Sequence, residues 1–352
     1  MATWLLMVVA MVFVMVVIGG LTRLTGSGLS MVDWRPVTGW LPPLSHAEWM
    51  AVFEAYRQSP EYLHLNRGMS LVEFKDIFWL EYIHRLWGRL IGVAFAVPLL
   101  IFAFRGWVER WLAPHLGIAL VLGGLQGVLG WVMVQSGLVD EPAVSQYRLV
   151  AHLSAALVIM AYLLWLAARL LELRPQGTSA MAGVRRGALA VTVLIAVTIV
   201  SGGFVAGLNA GLIYNTFPLM GGRLMPAEAF TGMPVYLAPF EDAATAQFVH
   251  RALALTTLAA VAGLWFAGRR RALPTAARRG INLLMAAVVV QVTLGITTLL
   301  LMVPWHVATA HQAVGVLLLM TALWTWYQLR PAPAAVTAPV RAPLATANSP
   351  RP

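Results

Sequence analysis

The chain has 352 residues, of which 60% are hydrophobic and 11% charged, with a mean hydropathy of +0.77, whereas a soluble domain carries roughly 25% charged residues. Its formal charge of +10 does not point to nucleic acid, because the basic residues sit in short connections between apolar runs, where membrane orientation signals are found. Cysteine is absent, which excludes disulfides, thiolate metal sites and cysteine-ligated iron–sulfur clusters and leaves nitrogen, oxygen or methionine sulfur for any tightly held metal.

Apolar runs long enough to cross about 30 Å of hydrocarbon fall at 2–21, 79–104, 115–134, 147–170, 187–207, 245–267, 281–302 and 306–328. They predict an all-α polytopic membrane protein with eight transmembrane helices. The first run lacks the basic flank of a signal peptide and leads into a segment that is repeated later, so it reads as a retained span. The long connection 22–78 contains Pro36, Pro42, Pro43 and Pro60 and an amphipathic stretch from His46 to Tyr56. That pattern predicts a short helix on the outer membrane face. The connection 208–244 is its counterpart. Arg105 and Arg110, Arg169 to Arg186, Arg269 to Arg279, and Arg330, Arg341 and Arg351 concentrate basic charge on the opposite side. The positive-inside rule then places both termini in the cytoplasm. The Pro/Ala-rich tail, 331–352, has too few large apolar residues to fold and is predicted to be disordered.

An internal repeat organises these spans. Gly19-Gly20-Leu21 through Gly28-Leu29 matches Gly202-Gly203-Phe204 through Gly211-Leu212, and the same offset pairs Leu41 with Leu224 and Pro43 with Pro226. Gln126-Gly127-Val128-Leu129-Gly130 matches Gln291-Val292-Thr293-Leu294-Gly295, and Ala151-His152 matches Ala310-His311. Each half holds an even number of spans. The halves therefore share orientation, as two parallel-repeat four-helix bundles covering 1–174 and 175–330.

Glu81-Tyr82-Ile83-His84-Arg85 begins the second span, and Gln247-Phe248-Val249-His250-Arg251 begins the sixth. With His152 and His311, four histidines enter even-numbered spans from the outer side at similar depth. A lone membrane histidine suits a hydrogen-bonded core or a proton relay. Four at repeat-matched positions suit a pair in each bundle, gripping one flat ligand from both faces as bis-histidine heme ligands do. His46, His64, His115 and His306 have no such pattern and read as solvated or interfacial. Arg85 and Arg251, next to paired histidines at the outer boundary, suit heme propionates or lipid headgroups equally. Arg89 and Arg23 have no basic counterpart, Ala206 standing where Arg23 does. The glycines read as close-packing positions, and Gln126 and Gln291 as links between helices. The repeat breaks at Glu81, matched by Gln247. A carboxylate one helical turn from His84 gives the first half a charge or proton acceptor that the second lacks, unless its role is only to pair with Arg85.

The eight spans, the Glu-x-x-His-Arg motif at Glu81 to Arg85, the Gly-Gly-x-Thr-Arg-x-Thr-x-Ser-Gly segment from Gly19 to Gly28, and His152, His250 and His311 together resemble the heme A synthase family over residues 1–328. The resemblance implies a bacterial inner-membrane oxidoreductase that converts the C8 methyl of heme O to a formyl group through a hydroxymethyl intermediate, for cytochrome oxidase biogenesis. It implies His84 and His152 as ligands of the substrate heme, Glu81 as the catalytic carboxylate, and His250 and His311 as ligands of a resident heme b. Heme O synthase, a protoheme farnesyltransferase, and oxidase assembly factors are the implied partners besides membrane lipid, and a homo-oligomer is compatible. Some members carry an outer-loop cysteine pair, and its absence here points to the cysteine-free branch. A diheme b-type electron-transfer cytochrome would use the same histidines without chemically different halves, and a cofactor-free transporter would use them for protons or substrate.

Overall fold

The computed structural model describes residues 1–34, 38–138, 143–173 and 175–331. Pro36, Arg174 and the tail beyond Pro331 lie outside the described residues. Among the described residues, eight helices are long and apolar enough to cross a membrane: α1 (Ala2–Leu24), α4 (Leu71–Phe104), α5 (Leu112–Gln135), α6 (Gln146–Leu170), α7 (Ala182–Gly207), α9 (Ala243–Arg269), α10 (Thr275–Leu300) and α11 (Trp305–Gln328). Between them lie the short helices α2 (His46–Arg57), α3 (Pro60–His64) and α8 (Ala238–Glu241). Every predicted span is therefore present.

α4 departs furthest from the apolar boundary, starting at Leu71. A capping box begins it: Glu73 N donates to Ser70 Oγ at 3.3 Å and Ser70 N donates to the Glu73 carboxylate at 2.8 Å, which satisfies two end amides reciprocally. The added turns carry Phe74 and Phe78. On them pack Trp49, Phe53 and Tyr56 of α2 and Tyr62 of α3, closing an aromatic cap with Tyr82. The predicted amphipathic helix is α2. The unpredicted α3 begins with Ser59, whose Oγ accepts from Tyr62 N at 3.3 Å, and Pro60, suited to a first helical position.

Helix α1 packs on α4 and α6, and α5 joins α4 to α6, so these four close a ring. Helices α7, α9, α10 and α11 close another with the same order of neighbours. The rings meet where α1 lies on α11 and α6 on α7. At the first contact, Gln312 Nε2 donates to Val16 O at 2.9 Å, directly over Gly20, where any Cβ would collide with the amide. At the second, a Cβ on Gly203 would stand 2.8 Å from Val150. Small residues thus let the helices approach closely. Arg23 also bridges the rings, its Nη2 lying 3.1 Å from Ala206 O and 3.0 Å from Asn209 Oδ1. Arg23 therefore reaches its own repeat-matched residue, Ala206. Only 6% of the apolar stretch of α4 or α5 is buried, against 33% in α6 and α7. The outward faces, such as Val93, Val97 and Leu100 on α4, are apolar, as contact with hydrocarbon demands.

Candidate functional site

The glutamate site is built by the end of α1. Thr22 and Thr25 hydroxyls donate to Ile18 O and Leu21 O at 2.9 Å each, and Gly26, at φ +63°, turns the chain back toward α4. That turn brings Ser30 and Met31 against Glu81, which is only 2% exposed. Glu81 Oε2 accepts from Ser30 Oγ at 2.7 Å and Met31 N at 2.8 Å, while Oε1 accepts from Arg85 Nε at 2.9 Å and Nη2 at 2.5 Å. Four donors, two of them from a guanidinium, hold the carboxylate in one place. Ser30 and Met31 were not singled out in the sequence, although their place just after the repeated segment was a signal.

Arg85 also donates to Met31 O at 2.7 Å and Asp33 O at 2.8 Å. Arg251 does the same to Tyr214 O at 2.6 Å and Thr216 O at 2.8 Å. Tyr214 and Thr216 are the repeat-matched residues of Met31 and Asp33, and Asn209, at φ +51°, takes the place of Gly26. Both arginines thus clamp the loop after the first helix of their ring to a histidine helix. Arg85 has protein acceptors on Nε, Nη1 and Nη2, whereas Arg251 Nε is buried without one. Of the two arginines read as suiting a heme propionate or a lipid headgroup equally, Arg251 keeps the freer donor. Gln247 donates its amide to Tyr214 O at 3.1 Å and leaves its own Oε1 buried and unpartnered.

His84 and His152 lie on α4 and α6, diagonal helices of the first ring, and His250 and His311 lie on α9 and α11, diagonal in the second. Every one of the four imidazoles is seated on a glycine of a neighbouring helix. An added Cβ would come within 3.2 Å of His84 at Gly19, 3.1 Å of His152 at Gly130, 3.0 Å of His250 at Gly202 and 2.8 Å of His311 at Gly295. Gly19 matches Gly202 and Gly130 matches Gly295 in the repeat, so the seats recur with the histidines. Read from sequence as general packing positions, these glycines have a narrower purpose, which is to leave room for the rings. Gln126 Nε2 donates to His152 O at 2.9 Å, linking α5 to α6 as expected.

The remaining histidines stand apart. His46, His64 and His306 are exposed, and His115 Nδ1 lies 2.8 Å from the Tyr162 hydroxyl beside Trp111 and Trp165. Among the described residues, no three His, Cys, Asp or Glu side chains gather to hold a bare metal ion. Two imidazoles on diagonal helices of each ring have the donor chemistry of bis-histidine heme ligands.

The fold and these pairs define a polytopic membrane protein of the paired-histidine kind, with one pair beside a clamped carboxylate. A sequence profile described as cytochrome oxidase assembly protein matches residues 2–323. The chain is 52% identical over 330 residues to a heme A synthase of Rhodospirillum centenum, covering 94% of this chain and 88% of that one. It is 49% identical over 332 residues to one of Nitrosospira multiformis, covering 94% and 93%, and 48% identical over 332 residues to one of Paramagnetospirillum magneticum, covering 93% of each. The chain belongs to the cytochrome oxidase assembly protein family.

Proposed function

We propose that this chain is a heme A synthase, an inner-membrane oxidoreductase that takes the C8 methyl of heme O through a hydroxymethyl to a formyl group. Near-complete coverage by relatives bearing that name supports the reading over an electron-transfer cytochrome. The observation that carries it in the structure is the inequality at one repeat-matched position, where Glu81 is a clamped anion and Gln247 a neutral amide. Two equal electron-transfer sites would not need that difference.

In this reading the two rings are parallel repeats with both termini in the cytoplasm and the histidines near the outer face. His84 and His152 hold the substrate heme in the first half, residues 1–174, and His250 and His311 hold heme b in the second, residues 175–330. Heme b, when bound, supplies one-electron redox chemistry. Glu81 acts from its fixed position, stabilising positive charge that develops as the C8 methyl is oxidised. Its four donors make it better suited to that task than to carrying a proton away, because a preorganised charge needs no reorganisation at the moment of reaction. Arg85 holds both the carboxylate and the outer loop, and Arg251 offers its Nε to a heme b propionate. Heme O, being apolar and membrane-borne, passes from the membrane farnesyltransferase that makes it.

Expression in a host that makes heme O but no heme A, followed by chromatography of the extracted hemes with mass detection, tests this reading. Heme A or its hydroxymethyl precursor beside heme b is the expected result. Heme b alone, with heme O available in the same membranes, would replace it with the electron-transfer cytochrome.

A further inference from the structure

The two histidine pairs differ in how their Nδ1 atoms are held. In the second half, His250 Nδ1 lies 2.8 Å from Ser201 Oγ, and that hydroxyl lies 2.7 Å from Thr198 O. A hydroxyl has one proton and a carbonyl can only accept. The Thr198 carbonyl is also a hydrogen-bond acceptor for the His250 ring, so Nδ1 carries the proton, shared between Thr198 O and the Ser201 hydroxyl, and the lone pair is left on His250 Nε2. His311 Nδ1 lies 3.1 Å from Gln291 O, again an obligatory acceptor, so His311 also carries its lone pair on Nε2. The Gln291 amide stands 3.5 Å from that nitrogen, a contact too long to compete strongly for it.

The first half lacks both tethers. His152 Nδ1 is buried without a partner, and the repeat-matched Gln126 turns its amide to His152 O instead. Among the described residues His84 has no hydrogen bond from its ring, and Ile18 stands where Ser201 does in the repeat. The His84 ring is also turned differently. It presents Nε2 to Gly19, whereas His250 presents Cε1 to Gly202.

We propose that Ser201 is a positioning residue that fixes His250 as a permanent heme ligand, and that Ile18 at the matched place leaves His84 free to release its heme. The proposal rests on the assignment of heme b to the second half and substrate to the first. Its physical basis is that a hydrogen bond to the far ring nitrogen sets the tautomer, holds the ring plane and raises ligand basicity. A resident cofactor needs all three. A substrate that must leave as product is served by an imidazole without them.

The test uses the full-length protein carrying its own hemes, with apomyoglobin as the heme acceptor. Heme b transfer and the heme b midpoint potential are followed in wild type, Ser201→Ala and Ser201→Thr. Removing such a second partner typically costs about 10–100-fold in affinity. Ser201→Ala is expected to release heme b about tenfold faster or more, with a higher midpoint potential and an altered low-spin ferric EPR signal, while Ser201→Thr stays close to wild type. Conversely, Ile18→Ser is expected to slow loss of heme from the first half. Unchanged release and potential in Ser201→Ala would overturn the proposal, as would equal damage from alanine and threonine, since that would implicate volume and not the hydroxyl. If Ser201→Ala instead accelerates release of heme O, the tether stands and the assignment of the halves fails.

Discussion

Glu81 shows how a single side chain can be committed by its neighbours. The serine hydroxyl, the backbone amide and the guanidinium use both oxygens, so the residue is placed to exert charge and not to move. The matched Gln247 demonstrates that an amide is structurally acceptable beside an arginine clamp in this fold. Glu81→Gln is therefore expected to keep both hemes bound while slowing heme A formation about 10²–10³-fold, the usual cost of removing one preorganised electrostatic group. Heme content and heme A yield from the same membranes check this, and full yield would remove the carboxylate from the mechanism. The four histidines were readable because the repeat marks them twice, and Glu81 because the repeat breaks there. The glycine seats were half readable: their positions recur, but the contact with imidazole depends on helix rotation. Ser201 was not readable as a site residue, because a serine inside a span has many local uses and only the fold places it on His250.

At the scale of elements, the cap over the start of α4 depends on aromatic packing around one buried acid. Glu61 is 6% exposed, accepts a hydrogen bond from the Tyr56 hydroxyl at 3.0 Å, and Asn66 Nδ2 donates to that hydroxyl at 2.7 Å. Burial raises the Glu61 carboxyl to about 7, with Glu81 adding to the rise and the Tyr56 hydrogen bond opposing it. Between the ordinary value of 4.5 and about 7, the folded cap holds a proton that the unfolded chain has released. Stability from this group is therefore full below the lower value and falls as pH rises through the window. The unfolding temperature of the detergent-solubilised protein is expected to drop from pH 5 to pH 8, and Glu61→Gln to flatten that drop. Equal slopes in the two proteins would show that Glu61 does not govern the cap. Hydropathy located the spans because each must cross hydrocarbon, and amphipathicity located α2. It missed α3 and the outer turns of α4, which are set by Ser59, the Ser70–Glu73 capping box and aromatic contacts across the loop rather than by apolar run length.

For the whole molecule, the same order of helix neighbours in both rings, the matched clamps of Arg85 and Arg251, and the matched glycine seats describe one plan used twice. The differences are few and local: Glu81 against Gln247, Ile18 against Ser201, and Arg23 against Ala206. The last joins the rings, and the first two are the differences on which the proposed division of labour rests. In the proposed reading, one half keeps its cofactor while the other turns substrate over. The central claim is that division of labour, and the most direct measurement is the identity of the hemes retained by His84→Ala and His250→Ala in membranes that contain both heme O and heme b. The account predicts that His84→Ala loses heme O and its products but keeps heme b, and that His250→Ala loses heme b but still binds heme O. The reverse pattern, or equal loss of both hemes from each variant in folded protein, would contradict it.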